Sequence, residues 1–583
     1  MPDMPRPEHP RPDLRRDDRW WATLNGPWQF EIDRAVSGEE RGYASGTDLD
    51  AEVLVPFCPE SELSGVGETD FLNSVWYRRH IDVPDHWRGR RILLHVGACD
   101  YRTTVWLNGR PVAEHEGGYT PFTAELTDAL RGGGRDELVV RAVDRIRQGG
   151  RPSGKQSPRY ESFGCHYTRT TGIWQTVWLE AVPRTYVRRL EVWPDLDRGA
   201  FCVNVHVAGE DACRGRVEVL AEGQSVATAE LAGRGAGCRR AELRLRECRP
   251  WSPADPFLYR IRVELEGEGG ADRVETWGGL RKVHAEGNRI LLNNEPVFLR
   301  TVLDQGFYPD GVYTAPTAEA LEKDVEAGLS FGFNGARLHQ KVFEPRFLHY
   351  CDRHGYLVFG EFPDWGRDFD DPRFTFRILD QWTEALRRDL GHPSVIGWCP
   401  LNESGDADRT AFGEWTTRRL YRLTRALDPT RPAIDASGWF HFETDIWDTH
   451  NYEQDVEAFR DAFQPLARGD WESAHDNRER QLSYRGEKPY FVSEYGGIGW
   501  RSGRVPESAW GYGRGPETEQ GFLDRFRGLT EALLFNPGVA GFCYTQLYDI
   551  EQEINGLMSY DRKAKFPPER IAAILRQSAA IEE

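Results

Sequence analysis

Ile396-Gly-Trp-Cys-Pro-Leu-Asn-Glu-Ser404 joins an apolar run directly to the polar pair Asn402-Glu403. This pattern is typical of a buried strand whose last residues emerge at a working surface. In a parallel barrel, catalytic groups lie at the C-terminal ends of the strands. A carboxylate that leaves an apolar strand there can have a raised pKa and act as an acid. The alternative interpretation is that Glu403 is a loop carboxylate that caps the next helix.

The chain around this stretch alternates apolar strands with amphipathic helical segments, which is typical of α/β architecture. Leu321, Val325 and Leu329, for example, fall on one face of a predicted helix. Eight strand candidates within residues 285–583 predict a C-terminal (β/α)8 TIM barrel. The candidates are Val297–Thr301, Phe333–His339, Leu357–Pro363, Val395–Glu403, Pro432–Ser437, Asp448–Tyr452, Tyr490–Tyr495 and Gly541–Asp549.

Two β-rich modules precede the predicted barrel. Residues 19–182 contain short strand-like runs punctuated by Asn-Gly, Gly-Gly and Pro, which predicts a jelly roll. Residues 183–284 alternate apolar and polar positions over several strands and predict an immunoglobulin-like β-sandwich. Residues 1–18 are rich in proline and charge, and we expect a flexible N-terminal arm there.

Charge and composition narrow the range of partners. The net charge of −19 argues against nucleic acid and anionic membranes, because neutralising phosphates requires basic patches. The N-terminal residues lack the apolar core of a signal peptide, and no apolar run reaches the length of a membrane span. The ten cysteines show no metal-binding spacing. These features predict a cytoplasmic protein with reduced thiols.

Polar residues gather directly after the apolar runs of the predicted barrel strands. Two of them, Glu403 and Glu494, end strands four and seven, which lie across the barrel mouth from each other. Paired carboxylates that flank a scissile bond are what glycoside hydrolysis requires. The alternative is a buried ion network in which both glutamates pair with Arg337 or Lys341. The candidate substrate-binding residues at strand ends are Asp304, Arg337, His339, Glu361, Asn402, His450, Tyr452 and Gln546.

Three further interpretations concern binding. Asn402 is placed to hydrogen-bond a sugar 2-hydroxyl, a contact that strengthens in the transition state. Trp365 and Trp500 follow strand ends and are candidates for stacking on a sugar ring. The histidines near strand ends lack the H-x-H and H-E-x-x-H spacings of metal hydrolases, so no metal site is predicted.

Further motifs are distributed along nearly the whole chain. They are Leu24-Asn-Gly-Pro-Trp-Gln-Phe30, Val105-Trp-Leu-Asn-Gly109, His115-Glu-Gly-Gly-Tyr-Thr-Pro-Phe122, Thr171-Gly-Ile-Trp-Gln-Thr-Val-Trp178, Trp251-Ser-Pro-Ala-Asp-Pro-Phe-Leu-Tyr259 and Gly279-Leu-Arg-Lys282. With Asn402-Glu403 and Ser493-Glu494-Tyr495-Gly496-Gly497, they resemble family 2 of the glycoside hydrolases, which contains β-galactosidases, β-glucuronidases and β-mannosidases. The resemblance implies a jelly-roll sugar-binding domain, an immunoglobulin-like domain and a catalytic barrel, in that order.

The resemblance also implies roles for individual residues. Glu403 would be the general acid/base and Glu494 the nucleophile of a retaining exo-glycosidase. Tyr452 resembles the tyrosine that hydrogen-bonds the nucleophile, which would keep Glu494 ionised while Glu403 stays protonated. No cofactor is required, although some members of the family bind Mg²⁺ or Na⁺ near the acid/base. Many members assemble through their β domains, which is compatible with a homo-oligomer.

The choice of sugar is left open by departures from the family patterns. The β-galactosidases usually carry Arg-x-Ser-His after strand two, where this chain reads Arg337-Leu-His-Gln-Lys341. The Asn-x-Lys element expected of β-glucuronidases is replaced by Asn555-Gly-Leu557. We expect a β-galactosidase-like glycosidase acting on a glycoside or oligosaccharide. The alternatives are a β-mannosidase, a β-glucuronidase, or a furanosidase specific for arabinofuranosides or galactofuranosides. A non-catalytic carbohydrate-binding protein is the alternative of another class.

Overall fold

The computed structural model describes residues 4–132, 134–267, 269–369, 371–404, 410–476, 483–503 and 506–582. Within these ranges the chain forms two antiparallel β domains followed by a parallel α/β barrel. This order of domains confirms the predicted fold class. The domain boundaries that the sequence suggests stay predictions.

The first domain packs a six-stranded sheet, in the order β3-β2-β4-β10-β7-β8, against a four-stranded sheet, in the order β1-β12-β5-β9. Apolar side chains from both sheets, such as Trp28, Leu94 and Val140, share one core because inward and outward positions alternate along each strand. The strands β1 to β12 are Trp21–Thr23, Gly26–Ile32, Ala51–Val55, Ser74–Ile81, Arg91–Val96, Cys99–Asp100, Arg102–Leu107, Arg110–Glu116, Phe122–Glu125, Asp136–Val143, Gly172–Ile173 and Val177–Val182.

The second domain is a sandwich of a three-stranded sheet, β13-β14-β17, and a four-stranded sheet, β16-β15-β18-β19. Val203, Val217 and Val263 lie in its core. A small sheet, β20-β21-β22, leads into the barrel. The strands β13 to β22 are Tyr186–Asp195, Ala200–Ala208, Ala212–Ala221, Gln224–Arg234, Gly237–Arg244, Tyr259–Gly267, Gly270–Gly278, Val283–Glu286, Arg289–Leu292 and Glu295–Pro296.

The barrel sheet has seven regular parallel strands in the order β26-β25-β24-β23-β29-β28-β27. Its strands β23 to β29 are Leu299–Asp304, Gly335–Leu338, Leu357–Glu361, Val395–Cys399, Trp447–Asn451, Tyr490–Gly496 and Gly541–Thr545. The helices α1 to α7 are Ala318–Ser330, Pro345–His354, Pro372–Asp389, Ala411–Leu427, Val456–Ala467, Glu519–Leu534 and Pro568–Leu575. Their starts follow ordinary capping rules: Thr317, for example, accepts a hydrogen bond from the backbone N–H of Ala320 at the start of α1.

The prediction of a regular fifth strand at residues 432–437 is wrong in detail. This segment lies beside β26 and forms isolated parallel bridges, Trp398 with Ala433 and Asn402 with Ser437. Pro432 has no N–H to donate, and Asp435 accepts hydrogen bonds from its own loop, so the segment does not complete a ladder. It nevertheless fills the gap between β26 and β27.

The described N-terminal residues contact all three domains. Arg6 forms an ion pair with Glu344, which precedes α2 in the barrel, at 2.7 Å. Arg16 lies 2.8 Å from Glu180 of the first domain and 2.8 Å from Asp272 of the second, and all three side chains are buried. Among the described residues, no helix combines the length and the apolar character that crossing a membrane requires.

We expect Arg16→Ala to lower the free energy of unfolding by about 3–5 kcal/mol, because two buried carboxylates lose their cation. The measurement is urea denaturation followed by tryptophan fluorescence. The matched control is Arg15→Ala, since Arg15 pairs with Asp18 at an exposed site and such pairs contribute at most about 1 kcal/mol. Equal losses for the two variants would contradict the bridging role of Arg16.

Candidate active site

Arg337, at the end of β24, is the fully buried cation around which the strand ends are arranged. Its Nε donates to Glu361 Oε1 over 2.5 Å, and its Nη1 donates to the backbone oxygen of Ser493 over 2.6 Å. Nη1 also donates to Glu494 Oε1 over 3.2 Å, and Nη2 donates to Asn402 Oδ1 over 3.0 Å. A buried charge needs such partners because leaving water is costly. Arg337 therefore connects the ends of β25, β26 and β28.

Glu494 lies within β28 and is almost completely buried. In addition to Arg337, it receives a hydrogen bond from the Tyr452 hydroxyl at its Oε2. Tyr452 itself is fixed by Thr545 Oγ1 at 3.1 Å and by stacking on Tyr512 with ring centroids 3.5 Å apart. One charged and one phenolic donor stabilise negative charge on this carboxylate. The structure thus brings together Tyr452 and Glu494, as the sequence predicts.

Glu403 follows β26 at the gap that residues 432–437 fill. Its backbone has φ of +48°, a left-handed conformation that is strained for a residue with a Cβ, and its N–H donates to the Ser437 oxygen over 2.9 Å. Its side chain is 25% exposed, whereas the Arg337, Glu361 and Glu494 side chains are at most 6% exposed. Glu403 is therefore the carboxylate of this group that faces the open mouth.

The two carboxylates predicted to act as a pair do converge. One carboxylate oxygen of Glu403, one of Glu494 and one imidazole nitrogen of His450 all lie within 4.8 Å of one another. His450 lies between the two carboxylates, with Nδ1 2.7 Å from Glu403 Oε1 and Nε2 3.5 Å from Glu494 Oε1. Three such groups could also hold a metal ion, and the prediction that none is needed stays a prediction.

The contact between Glu403 and His450 shifts the pKa values of both side chains. Burial alone would raise the pKa of Glu403, but the hydrogen bond and the charge of His450 outweigh it and lower the pKa to about 2. Burial opposes the charge of His450, yet Glu494 and Glu403 together raise its pKa above the ordinary value. The role of Glu403 as the general acid stays a prediction. The sequence did not place the side chain of His450 beside Glu403.

Glu361 and His339 support Arg337. Against burial, the charges of Arg337 and His339 lower the pKa of Glu361 to about 2, so it is an ionised partner of the guanidinium. His339 Nδ1 lies 3.0 Å from Glu361 Oε2 and 3.9 Å from Glu494 Oε1. Burial lowers the pKa of His339 below its ordinary value. Direct contact of these two side chains with a sugar stays a prediction.

Asp304 and Gln546 lie in a buried polar network on the side of β23 and β29. Asp304 accepts hydrogen bonds from the Tyr548 hydroxyl and from the backbone of Gly306, and burial raises its pKa to about 6. Gln546 accepts from Gln305 over 2.7 Å and donates to Asn555 Oδ1 over 2.9 Å. Both predicted residues therefore lie at the same end of the barrel. Their polar groups, which the sequence assigned to substrate binding, already have hydrogen-bond partners within the protein.

The two candidate stacking tryptophans have different surroundings. Trp365 donates from Nε1 to the backbone oxygen of Asn402 over 3.0 Å, which places it beside the residues that follow β26. Trp500 packs against Phe522 and Phe566, with ring centroids 6.1 and 5.7 Å away. Trp365 is therefore the better candidate for stacking on a sugar, and Trp500 contributes to the apolar packing behind the strands.

Three residues near the site were missed by sequence reasoning. Lys155, from the first domain, lies with Nζ 3.9 Å above the Trp365 ring. Tyr167, from the same domain, donates a hydrogen bond to the buried carboxylate Glu553 and accepts one from Gln305 over 3.1 Å. No pattern in the sequence shows which loop of one domain reaches another, so no local signal could have identified Lys155 or Tyr167. Glu553 follows Asp549 after strand eight and could have been included.

The barrel and both β domains match known family descriptions. Residues 283–528 match the TIM barrel domain of glycosyl hydrolases family 2, residues 67–181 match the sugar-binding domain of that family, and residues 185–281 match its remaining domain, described as Glycosyl hydrolases family 2. The chain belongs to family 2 of the glycosyl hydrolases. It is a glycoside hydrolase, and the resemblance drawn from its sequence motifs is confirmed.

Individual relatives of this glycosidase are distant. A β-glucuronidase of Rattus norvegicus is 27% identical over 465 residues, which cover 71% of this chain and 68% of that protein. A β-galactosidase of Thermoanaerobacter pseudethanolicus is 25% identical over 443 residues, covering 74% and 55% of the two chains. The solved structure of a Lactobacillus rhamnosus β-glucuronidase superposes with a TM-score of 0.80 at 20% identity, covering 98% and 99%. That structural likeness shows the shared fold.

We expect Tyr452→Phe to lower kcat/KM on an aryl glycoside by about 10- to 100-fold, because a hydrogen bond to a charged group contributes about 1.5–3 kcal/mol. The phenyl ring keeps the stacking on Tyr512, so the thermal unfolding midpoint should stay within a few degrees of the wild type. Tyr548→Phe is the matched control, since Tyr548 donates to Asp304 instead of Glu494. A larger loss of kcat/KM in the control would contradict this role of Tyr452.

Proposed function

We propose that this family 2 glycosidase is a retaining exo-glycosidase that releases a terminal sugar by double displacement. The proposal rests on the short distance between Glu403 and Glu494: one carboxylate oxygen of each lies within 4.8 Å of the other. Retaining enzymes place their carboxyl groups about 5–5.5 Å apart, whereas inverting enzymes leave about 6.5–9.5 Å for a water molecule. The close approach therefore supports retention.

The environments of the two carboxylates support different roles. Glu494, held by Arg337 and Tyr452, would form a bond to the anomeric carbon while the bond to the leaving oxygen breaks. Glu403, the more exposed carboxylate, would pass a proton to that oxygen. In the second step, water would attack the anomeric carbon, its proton would return through Glu403, and Glu494 would be released.

The side chain of Asn402 supports recognition of a sugar hydroxyl. Arg337 donates to Asn402 Oδ1, which fixes the orientation of the amide. The amide nitrogen is buried and has no hydrogen-bond partner among the described residues. An unsatisfied buried donor is costly, and a ligand oxygen would satisfy it. We assign this donor to the 2-hydroxyl of the sugar.

The first domain supports an exo mode of action. Its Ser153 and Gly154 donate backbone hydrogen bonds over 2.7 and 3.2 Å to Trp365 and Pro363, in the loop after β25. Thr168 of the same domain donates its N–H to Glu551 over 2.9 Å, in the segment after β29. The first domain thus covers one side of the barrel mouth. A mouth closed in this way accepts a chain end better than the middle of a polysaccharide.

Charges near the pocket favour a neutral terminal sugar, and we place β-galactosides first. Glu553 is buried, and its carboxylate is hydrogen-bonded by Tyr167 and Asn555. A uronic acid would add another carboxylate to a site that already contains Glu553, Glu403 and Glu494. Asn555 lies at the position of the Asn-x-Lys element. Its amide nitrogen donates to Glu553, and its amide oxygen accepts from Gln546.

A β-glucuronide is the second candidate, and one observation in the site favours it. The Lys155 ammonium group is buried beside Trp365 and could neutralise a sugar carboxylate. Several relatives are also named β-glucuronidases. β-Mannosides, arabinofuranosides and galactofuranosides remain further alternatives, and a carbohydrate-binding protein without activity is the alternative of another class.

The experiment compares wild type, Glu403→Ala and Glu494→Ala on aryl β-galactopyranoside, β-mannopyranoside, β-glucuronide, α-L-arabinofuranoside and β-galactofuranoside. We expect the wild type to cleave a neutral glycoside with retention, observed by NMR. Glu494→Ala should lose at least about 1000-fold in kcat and regain turnover with azide, giving an azide of inverted configuration. Azide should rescue Glu403→Ala on an activated substrate with retained configuration.

The outcomes separate the candidates. A wild type that is silent on all five glycosides would favour a carbohydrate-binding protein. An inverted product from the wild type would contradict retention. If the wild type prefers the β-glucuronide and Lys155→Met selectively loses activity on it, the protein is a β-glucuronidase and the proposal of a neutral sugar is wrong.

Location and assembly belong to the same proposal. We infer a cytoplasmic protein, because the ten cysteines are free thiols, which suits a reducing compartment. A homo-oligomer assembled through the β domains is proposed on the resemblance to the family. Size-exclusion chromatography with light scattering would distinguish an oligomer from a monomer of 66.7 kDa.

A further inference from the structure

The loop of the first domain that reaches the barrel mouth carries a buried cation, Lys155. This residue is 7% exposed, and its Nζ lies 3.9 Å above the Trp365 ring. Backbone hydrogen bonds fix the loop on both sides of it. Ser153 donates its N–H to the Trp365 oxygen over 2.7 Å, and Tyr167 donates its N–H to the Lys155 oxygen over 2.8 Å. The position of Lys155 at the mouth is therefore built into the contact between the domains.

The ammonium group of Lys155 has no acidic partner. Among the described residues, no oxygen accepts a hydrogen bond from it and no carboxylate forms an ion pair with it, and its neighbours are the Trp365 ring and the Cys165 thiol. A buried ammonium group without an acceptor is costly, and an aromatic face compensates only part of that cost. An oxygen atom of a ligand would supply the acceptor.

Glu553, in the segment after β29, is a buried carboxylate that borders the same pocket. The Tyr167 hydroxyl donates to its Oε2, and Asn555 donates to its Oε1 over 2.9 Å. An ionised carboxyl group has about four acceptor positions. Each oxygen of Glu553 can therefore accept one more hydrogen bond.

Tyr167 connects the two charged residues, because its backbone N–H donates to Lys155 and its hydroxyl donates to Glu553. Their charges also act on each other. Burial lowers the pKa of Lys155, while Cys165 and carboxylates that include Glu553 raise it, with a net increase. Within the described part of the chain, Lys155 and Glu553 nevertheless form no direct ion pair. A ligand group that both donates and accepts hydrogen bonds suits the space between them.

Lys155 lies one aromatic ring away from the end of β26. The Trp365 ring beneath its ammonium group donates from Nε1 to the backbone oxygen of Asn402 over 3.0 Å. A sugar whose 2-hydroxyl contacts the Asn402 amide would therefore have its other hydroxyl groups within reach of this wall.

Glu553 lies equally close to the end of β28. Its segment is bridged to Trp510, two residues before Tyr512. The Tyr512 ring stacks on Tyr452 with centroids 3.5 Å apart, and Tyr452 donates to Glu494. The proposed nucleophile and Glu553 thus border one pocket.

We propose that Lys155 and Glu553 recognise hydroxyl groups of the terminal sugar, with Lys155 donating to a sugar oxygen and Glu553 accepting from a sugar hydroxyl. This inference rests on the proposed function and deepens it, because it names residues that select a neutral sugar. A hydroxyl group can both accept and donate. A sugar carboxylate can only accept, so it would satisfy Lys155 but be repelled by Glu553. Both residues determine specificity and take no part in bond breaking.

The experiment compares wild type, Lys155→Met and Glu553→Gln on the neutral aryl glycoside that the wild type prefers. It also uses the monodeoxy analogues of this glycoside that each lack one hydroxyl other than the 2-hydroxyl. In the wild type, removing a recognised hydroxyl should lower kcat/KM by about 10- to 100-fold, because a hydrogen bond to a charged group is lost. In the variant that lacks the partner of that hydroxyl, the same removal should cost at most about threefold.

The matched control is Lys565→Met. Lys565 is a buried lysine at the same end of the barrel, but its Nζ already pairs with Asp549 at 2.6 Å. This variant should lose stability without changing the ratio of kcat/KM between the parent glycoside and its deoxy analogues. Because that ratio does not depend on the fraction of folded enzyme, it also identifies a variant that merely folds poorly.

Two results would overturn the proposal. One is that every deoxy analogue loses as much activity with Lys155→Met and Glu553→Gln as with the wild type. The other is that Lys155→Met loses activity on a β-glucuronide alone. Either result, together with an inactive Glu494→Ala, would leave the proposed function intact. Full activity of Glu494→Ala would refute the proposed function instead, which distinguishes the two claims.

Discussion

The buried guanidinium of Arg337 is the constraint on which the site depends. A charge with no exposed surface must be paired and hydrogen-bonded. Arg337 meets this requirement through groups at the ends of β25, β26 and β28. Its Nη1 donates to Glu494 and its Nη2 donates to Asn402, so a single side chain positions the proposed nucleophile and orients the amide. Glu361, ionised by the same contact, supplies the compensating charge.

The β domains contribute to the site as well as to the stability of the chain. The N-terminal residues bridge the domains through Arg6, whose ion pair is partly buried, and Arg16, whose ion pairs are buried. Lys155 and Tyr167 of the first domain reach the barrel mouth, where they contact Trp365 and Gln305. The family match of the barrel ends at residue 528, before β29 and the segment that contains Glu553.

Sequence patterns predicted the fold and the pairing of Glu403 with Glu494, because strand ends of a parallel barrel meet at one mouth. They did not predict the irregular path of residues 432–437, where Pro432 and the hydrogen bonds of Asp435 replace a regular ladder. They also did not predict the contact between Glu403 and His450. The decisive contact, with His450, joins residues 47 positions apart and depends on side-chain orientation across a gap in the sheet. Contacts between domains, such as that of Lys155, were invisible for the same reason.

In the mechanism that we propose, Glu494 forms a covalent bond to the sugar. Its most direct test is incubation with an activated 2-deoxy-2-fluoro glycoside of the preferred sugar, followed by peptide mass spectrometry. We expect time-dependent inactivation, one label per chain, and attachment of the label to Glu494. Attachment to Glu403, or turnover of the wild type without any trapped intermediate in the presence of this reagent, would contradict it.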